Sequence, residues 1–123
     1  LLLKNFSKKL DKTKFSVFVN LSARVGSITD NRLGGWISYR SSKAALNQII
    51  KTSSIEINRR NKNAICVGLH PGTVKTKFTE KFQNTTKTIS PKESVEMMMK
   101  VVENLSVDDN GYCFAYDGKV IPA

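Results

Sequence analysis

"AICVGLHPGTVKT", residues 64–76, is the stretch on which the reading of this chain turns. Its first six residues are apolar without alternation, the pattern of a strand buried on both faces of a sheet. "HPG" stops that strand, because Pro71 removes a backbone donor and Gly72 permits a sharp turn. "FSVFVNLS", residues 15–22, is apolar on both parities too and reads as an earlier strand of the same sheet. Between them, "ISYRSSKAALNQIIKTSSIEINRR" (residues 37–60) reads as one long helix, with Leu46, Ile49, Ile50, Ser53 and Ile57 as its inward stripe. Strand, helical crossover and strand require parallel pairing.

The flanks agree. Leu2, Leu3, Phe6 and Leu10 repeat at a helical period across residues 1–10. "SPKESVEMMMKVVENL" opens with Ser90 as an N-cap, Pro91 at the first helical position and Glu93 placed for a capping box. Met97, Met98, Val101, Val102 and Leu105 give that helix its apolar face. "YCFAY" (112–116) is a third strand, and "VIPA" reads as a short tail. The class is α/β, a parallel sheet with helices on its faces. Ligands of such sheets collect beyond the C-terminal ends of the strands. "NLSARVGS" and "LHPGTV" are those ends here, and "YRSSK" opens the helix between them.

At 123 residues the chain is sized for one domain. Two cysteines, Cys66 and Cys113, lie in apolar runs, which points to buried thiols in a reducing, cytoplasmic setting rather than a disulfide framework. No apolar run approaches the roughly 18 residues of a membrane span, and the N-terminal run is too short for a signal peptide. The net charge of +10 suits a polyanion or a phosphate-bearing cofactor. The lysines are nonetheless scattered through every segment, without arginine clusters or interleaved aromatics, which argues against nucleic acid as the partner. His70 is the only histidine, and with two cysteines at these spacings no metal site is expected.

Tyr39 and Lys43 are four apart and share a helix face. A free phenol has a pKa of about 10 and is a poor acid or base at neutral pH, but a neighbouring ammonium favours its ionised form. The pair could therefore be an acid–base device, or a solvated helical pair, which is the commoner case for such a pair taken alone. "HPGTVKT" offers the hydroxyls of Thr73 and Thr76 and free backbone N–H groups to a polar ligand, or is an ordinary strand-ending turn.

Taken together, "NLSARVGSI", "GGWISYRSSKAALNQ" and "AICVGLHPGTVKT" resemble the short-chain dehydrogenase/reductase family, in its C-factor-like and carbonyl-reductase-like branch. The resemblance runs from Leu1 to Ala123 and implies the C-terminal part of a Rossmann-type doubly wound parallel sheet. It implies Tyr39 as catalytic acid, protonating a substrate carbonyl as hydride arrives. Lys43 would assist Tyr39 and hold the nicotinamide ribose. Pro71, Gly72, Thr73 and Val74 would contact the nicotinamide, with Thr76 near the phosphates. The implied cofactor is NADP or NAD, with NADP slightly preferred, and the implied substrate is a small-molecule carbonyl. The parent is expected to be a homo-oligomer, since the family commonly assembles through the long helix and the one after it. Substrate identity would rest on the loop at residues 73–83.

Two departures stand out. The family's serine, three residues before the glycine of its S-x-x-G segment, corresponds to Ala23, counted back from Gly26. Ser22 is the tentative replacement and Ser27 the alternative. The glycine-rich phosphate turn is also absent, so the chain reads as a half that starts part-way through a helix, with too little of the cofactor cradle for activity on its own. A non-catalytic, dehydrogenase-like protein with a binding or signalling role is the alternative.

Overall fold

The computed structural model of the chain describes residues 2–77, 79 and 88–123. Helix α1 (Leu2–Phe6) and a 3-10 turn (Ser7–Lys9) lead into strand β1 (Ser16–Leu21). A second 3-10 turn (Arg24–Gly26) precedes helix α2 (Ile37–Arg60), which crosses over to β2 (Ala64–His70). Helix α3 (Pro91–Glu103), a further 3-10 turn (Val107–Asp109) and strands β3 (Cys113–Ala115) and β4 (Val120–Ile121) follow.

The sheet order is β1-β2-β3-β4. β1 runs parallel to β2, from Ser16 opposite Ala64 to Leu21 opposite Leu69, and β3 runs parallel to β2 on its other side. β4 folds back antiparallel on β3, so "VIPA" is a strand end rather than a tail. Gly118 makes this possible: at φ 83° it closes the tight "YDGK" turn, and the Ala115 N–H donates to the Lys119 carbonyl at 2.8 Å.

Alternation along β2 divides the core in two. Ala64 and Cys66 face α2, where they meet Ile50 and Ile57. Ile65, Val67 and Leu69 face the other way, packing with Phe114 against Met98, Val101, Val102 and Leu105 of α3 and the residues after it. β2 is thus covered on both faces, which is why its sequence lacks polar alternation. β1, apolar in the same way, is only half-buried: among the described residues it is an outer strand, and Leu21 is 60% exposed.

Leu46, Ile50 and Ile57 of the expected inward stripe of α2 pack into the core, and Ile49 is the departure. Ile50, Ser54 and Ile57 are buried, spaced by four and three, while Ile49 is 51% exposed because one residue turns the helix by about 100°. Ser54 is tolerated inside because its hydroxyl donates to the Lys51 carbonyl at 2.7 Å. Asn110 clamps the same layer, accepting from the Cys66 N–H at 2.9 Å and donating to the Ser54 carbonyl at 3.0 Å. At the start of α3 the Ser90 hydroxyl caps the Glu93 N–H at 3.1 Å, as its sequence position suggests. Ile50→Ala should therefore cost about 2–5 kcal/mol in urea unfolding, as buried isoleucine truncations do. Ile49→Ala should stay within about 1 kcal/mol in the same experiment, since it removes mostly solvent-facing surface.

Candidate active site

Beyond the C-terminal ends of β1 and β2 lies a cleft of about 790 Å³. Ala23, Val25, Leu33, Trp36 and Tyr39 line its apolar side, and His70, Gly72 and Thr73 line it from β2 and the turn that follows. The parallel register produces this meeting, because the two strands end level and the helix between them starts where they stop.

Gly26 controls how closely β1 and α2 approach. A Cβ there would lie 2.7 Å from the Lys43 carbonyl carbon and 2.9 Å from the Lys43 Cβ, so no side chain fits without moving α2. The close approach brings the Lys43 ammonium to 3.4 Å from the Leu21 carbonyl oxygen, which accepts from it. The same ammonium lies 5.8 Å from the centre of the Tyr39 ring. Tyr39 is 38% exposed and touches Trp36 edge-on, with ring centres 6.3 Å apart.

Arg40, inside "YRSSK", holds the loop that walls the cleft. Its Nε donates to the carbonyls of Gly34 and Gly35 at 3.2 and 2.9 Å, and one of its terminal nitrogens donates to the Val25 carbonyl at 3.4 Å. On the other side, Gly72 has φ 79°, and a Cβ there would lie 2.9 Å from the Tyr116 ring. The Pro71 carbonyl accepts from buried Ser94 at 2.6 Å, which ties the turn to α3. Val74 bridges to Ile89, and the Thr73 carbonyl accepts from the Ile89 N–H at 3.0 Å. Thr76 is exposed and engaged with Thr79, their hydroxyls 3.3 Å apart. Residues 78 and 80–83 of the expected substrate loop lie outside the described residues.

Tyr39, Lys43, Pro71, Gly72, Thr73 and Val74 are therefore gathered at one edge of the sheet. Ser22 is not available there: it is buried, and its hydroxyl donates to Asn47 Oδ1 at 2.6 Å beneath α2. Its tentative selection for the serine role does not fit this geometry, because strand alternation turns it into the core while Ala23 faces the cleft. Ser27 is no better placed, accepting from the Asp30 N–H at 3.0 Å and donating to the Ala123 carbonyl at 3.4 Å. Sequence reasoning missed Asn47, which continues the Tyr39–Lys43 face by four more residues, and Arg40, whose role depends on the fold of the loop.

Other chemistry is limited. Among the described residues, no group of three or more His, Cys, Asp or Glu side chains could hold a metal ion. Among them, too, no helix is long and apolar enough to cross a membrane. Both cysteines are free, and burial pushes the Cys66 thiol up to about 11, far from a reactive thiolate. A second cavity of about 800 Å³, near the far end of α2, is walled in part by Lys4, Lys8, Lys12 and Arg60, and it gathers some of the positive charge.

No protein-family profile matches the chain. Individual proteins do. An uncharacterized oxidoreductase of Schizosaccharomyces pombe is 36% identical over 97% of this chain and 51% of its own length. The C-signal protein of Myxococcus xanthus is 33% identical over 84% of this chain and 58% of its own length. Among solved structures, the carbonyl reductase Sniffer of D. melanogaster superposes with a TM-score of 0.78 at 30% identity, covering 99% of this chain and 48% of its own. The NADPH-bound carbonyl reductase from chicken fatty liver gives 0.74 at 37% identity, covering 98% and 48%.

The chain is similar in sequence and fold to oxidoreductases and carbonyl reductases of the short-chain dehydrogenase/reductase kind. It spans about half the length of the curated relatives it matches. The α/β class and the mostly parallel strand order agree with the expectation from the sequence.

His70, the last residue of β2, is the site's perturbed titratable group. Burial, with the positive charge of Arg24 second, lowers its pKa to about 4, against a partial opposing pull from Asp117. The unfolded chain, with a histidine near the ordinary 6.5, binds the proton first as pH falls. Stability should hold above pH 6.5, fall by roughly 2–4 kcal/mol as pH drops to about 4, and level off below. Urea unfolding across that range, compared with His70→Phe, checks this: the variant should lose that part of the slope.

Proposed function

We propose that this chain is the C-terminal, catalytic-residue-bearing half of an NAD(P)H-dependent reductase that converts a small-molecule carbonyl to an alcohol. The observation that carries the reading is the placement of Tyr39 on the cleft wall with the Lys43 ammonium 5.8 Å from its ring, at the shared end of β1 and β2.

The residues present fit one end of a nicotinamide cofactor. Gly72, whose positive φ and close Tyr116 neighbour exclude a side chain, leaves backbone exposed where a flat ring could lie, and Thr73 borders it. Lys43, already donating to a carbonyl at the end of β1, is placed to donate to ribose hydroxyls. The one glycine in the turn after β1, Gly26, is filled from behind by α2, so that turn cannot cradle a diphosphate. The phosphate-binding half would come from sequence outside this chain. When bound, the reduced cofactor supplies the hydride. Tyr39 would give its phenolic proton to the carbonyl oxygen and recover one from solvent, to which it is open. Val25, Leu33 and Trp36 suit a substrate with an apolar body. NADP is favoured over NAD because an NADPH-bound carbonyl reductase is among the similar structures. A homo-oligomer is consistent with the exposed Ile49 and Ile55 on α2 and Val95 and Met99 on α3.

Ala23 is the observation that favours a second reading, a dehydrogenase-like protein that binds or signals without turnover. NADPH oxidation with benzaldehyde, followed at 340 nm as the usual optical readout, separates the two. The full-length protein should turn over, the 123-residue chain should not, and Tyr39→Phe should lower kcat by about 10²–10⁴, the range for losing a general acid. Undiminished turnover in Tyr39→Phe would remove Tyr39 from the mechanism.

A further inference from the structure

At Ala23, the position the family resemblance gives to a serine, the cleft wall carries no hydroxyl donor. An oxygen that gains charge as its carbon accepts hydride is stabilised by an aimed hydrogen bond, and losing one such donor costs about 10²–10³ in rate. Ala23 presents a methyl group there, and Ser22 and Ser27 are committed elsewhere.

His70 lines the same cleft as that methyl and Tyr39. The Ser22 N–H donates to the Leu69 carbonyl at 2.8 Å, which brings the ends of β1 and β2 together and sets His70 next to the Ser22–Ala23 step. An edge contact with Tyr116, ring centres 6.4 Å apart at 68°, helps to fix the imidazole.

Its ring state follows from burial. Nδ1 is buried with no hydrogen-bond partner. A neutral imidazole carries one N–H, and either nitrogen can hold it. Stranding that N–H on buried Nδ1 would leave a donor unpaired, while leaving a lone pair there is the more tolerated omission. The tautomer with its proton on Nε2 is therefore assigned, since it leaves only a lone pair unpaired at buried Nδ1. The depressed pKa keeps the ring neutral across the physiological range, so this donor does not titrate away or add a charge.

We propose that His70 donates its Nε2–H to the substrate carbonyl oxygen, the role left vacant at Ala23. The inference rests on the carbonyl-reductase reading of the cleft. His70 neither gains nor loses a proton in the reaction; it holds the oxygen while Tyr39 protonates it.

The test uses the full-length protein with NADPH and benzaldehyde, and the variants His70→Phe, Ala23→Ser, the double variant and Tyr39→Phe. His70→Phe should lower kcat by about 10² with the NADPH KM within about twofold, and Ala23→Ser in that background should restore about tenfold or more. In the unaltered protein, 15N–1H correlation spectra should show the Nε2–H form of His70, assigned by its loss in His70→Phe. That signal should move when benzamide, an unreactive carbonyl, is added with NADP. Turnover that falls in Tyr39→Phe but persists in His70→Phe would overturn this inference and leave the function reading intact. A loss in His70→Phe that Ala23→Ser does not restore, or an Nδ1–H form, would also overturn it. Absence of turnover in the unaltered full-length protein would remove the reading and the inference together.

Discussion

The parallel ladder between β1 and β2 is the constraint from which the rest of the site follows. Six consecutive residue pairs, Ser16 with Ala64 through Leu21 with Leu69, leave no freedom in where the two strands end. A one-residue slip would turn every side chain of β1 to the opposite face, moving Asn20 and Ser22 away from the α2 side and Leu21 onto it. Because parallel strands need a crossover, α2 must begin at the end of β1 and run back beneath the sheet. Its first turns, with Tyr39 and Lys43, then lie beside the strand ends, and its last turns, with Arg59 and Arg60, lie far from them.

Onto this frame the chain adds a small number of close contacts that set positions to within an ångström or so. Gly26 admits α2 until the backbone of Lys43 nearly touches it. Ser22 and Cys113 both donate to Asn47, at 2.6 and 3.4 Å, so one amide ties β1, α2 and β3 together beneath the cleft. Ser94 does the same for the Pro71 turn from α3. Each buried polar group here has a partner, as low-dielectric surroundings demand. Among the described residues the exception is the buried Nδ1 of His70, a residue that lines the cleft.

The loop before α2 carries local strain. Trp36, a residue with a β-carbon and a large ring, holds φ 51° at the N-cap of the helix, in the region that costs L-residues about 1–2 kcal/mol. Such a conformation persists where its surroundings over-determine it. Gly34 and Gly35, both at positive φ, lead into it, Arg40 grips their carbonyls, and the Arg40 N–H donates to the Trp36 carbonyl at 2.9 Å. The result presents the indole edge to Tyr39 and leaves Ile37 facing outward.

Local pattern by itself determined the elements and their order. The non-alternating apolar run at 64–69, the long helical span before it and the Ser90–Pro91 start each depend on interactions within a few residues, and each is where its sequence places it. The Tyr39–Lys43 spacing likewise follows from helix geometry alone. What needed the tertiary structure was everything that depends on a neighbour distant in sequence. β1 is half-buried because nothing described covers its outer side, although its composition matches that of β2. Ile49 and Ile50 are identical residues, and only the packing of α2 on β2 says which is inside. "VIPA" becomes a strand because β3 is there to pair with it. Ser22 and Ala23 are adjacent, and only the partner offered by Asn47, 25 residues further along the chain, sends the hydroxyl inward and leaves a methyl facing the cleft. A side chain's direction on a strand has two choices, and the fold makes the choice through which face finds a partner.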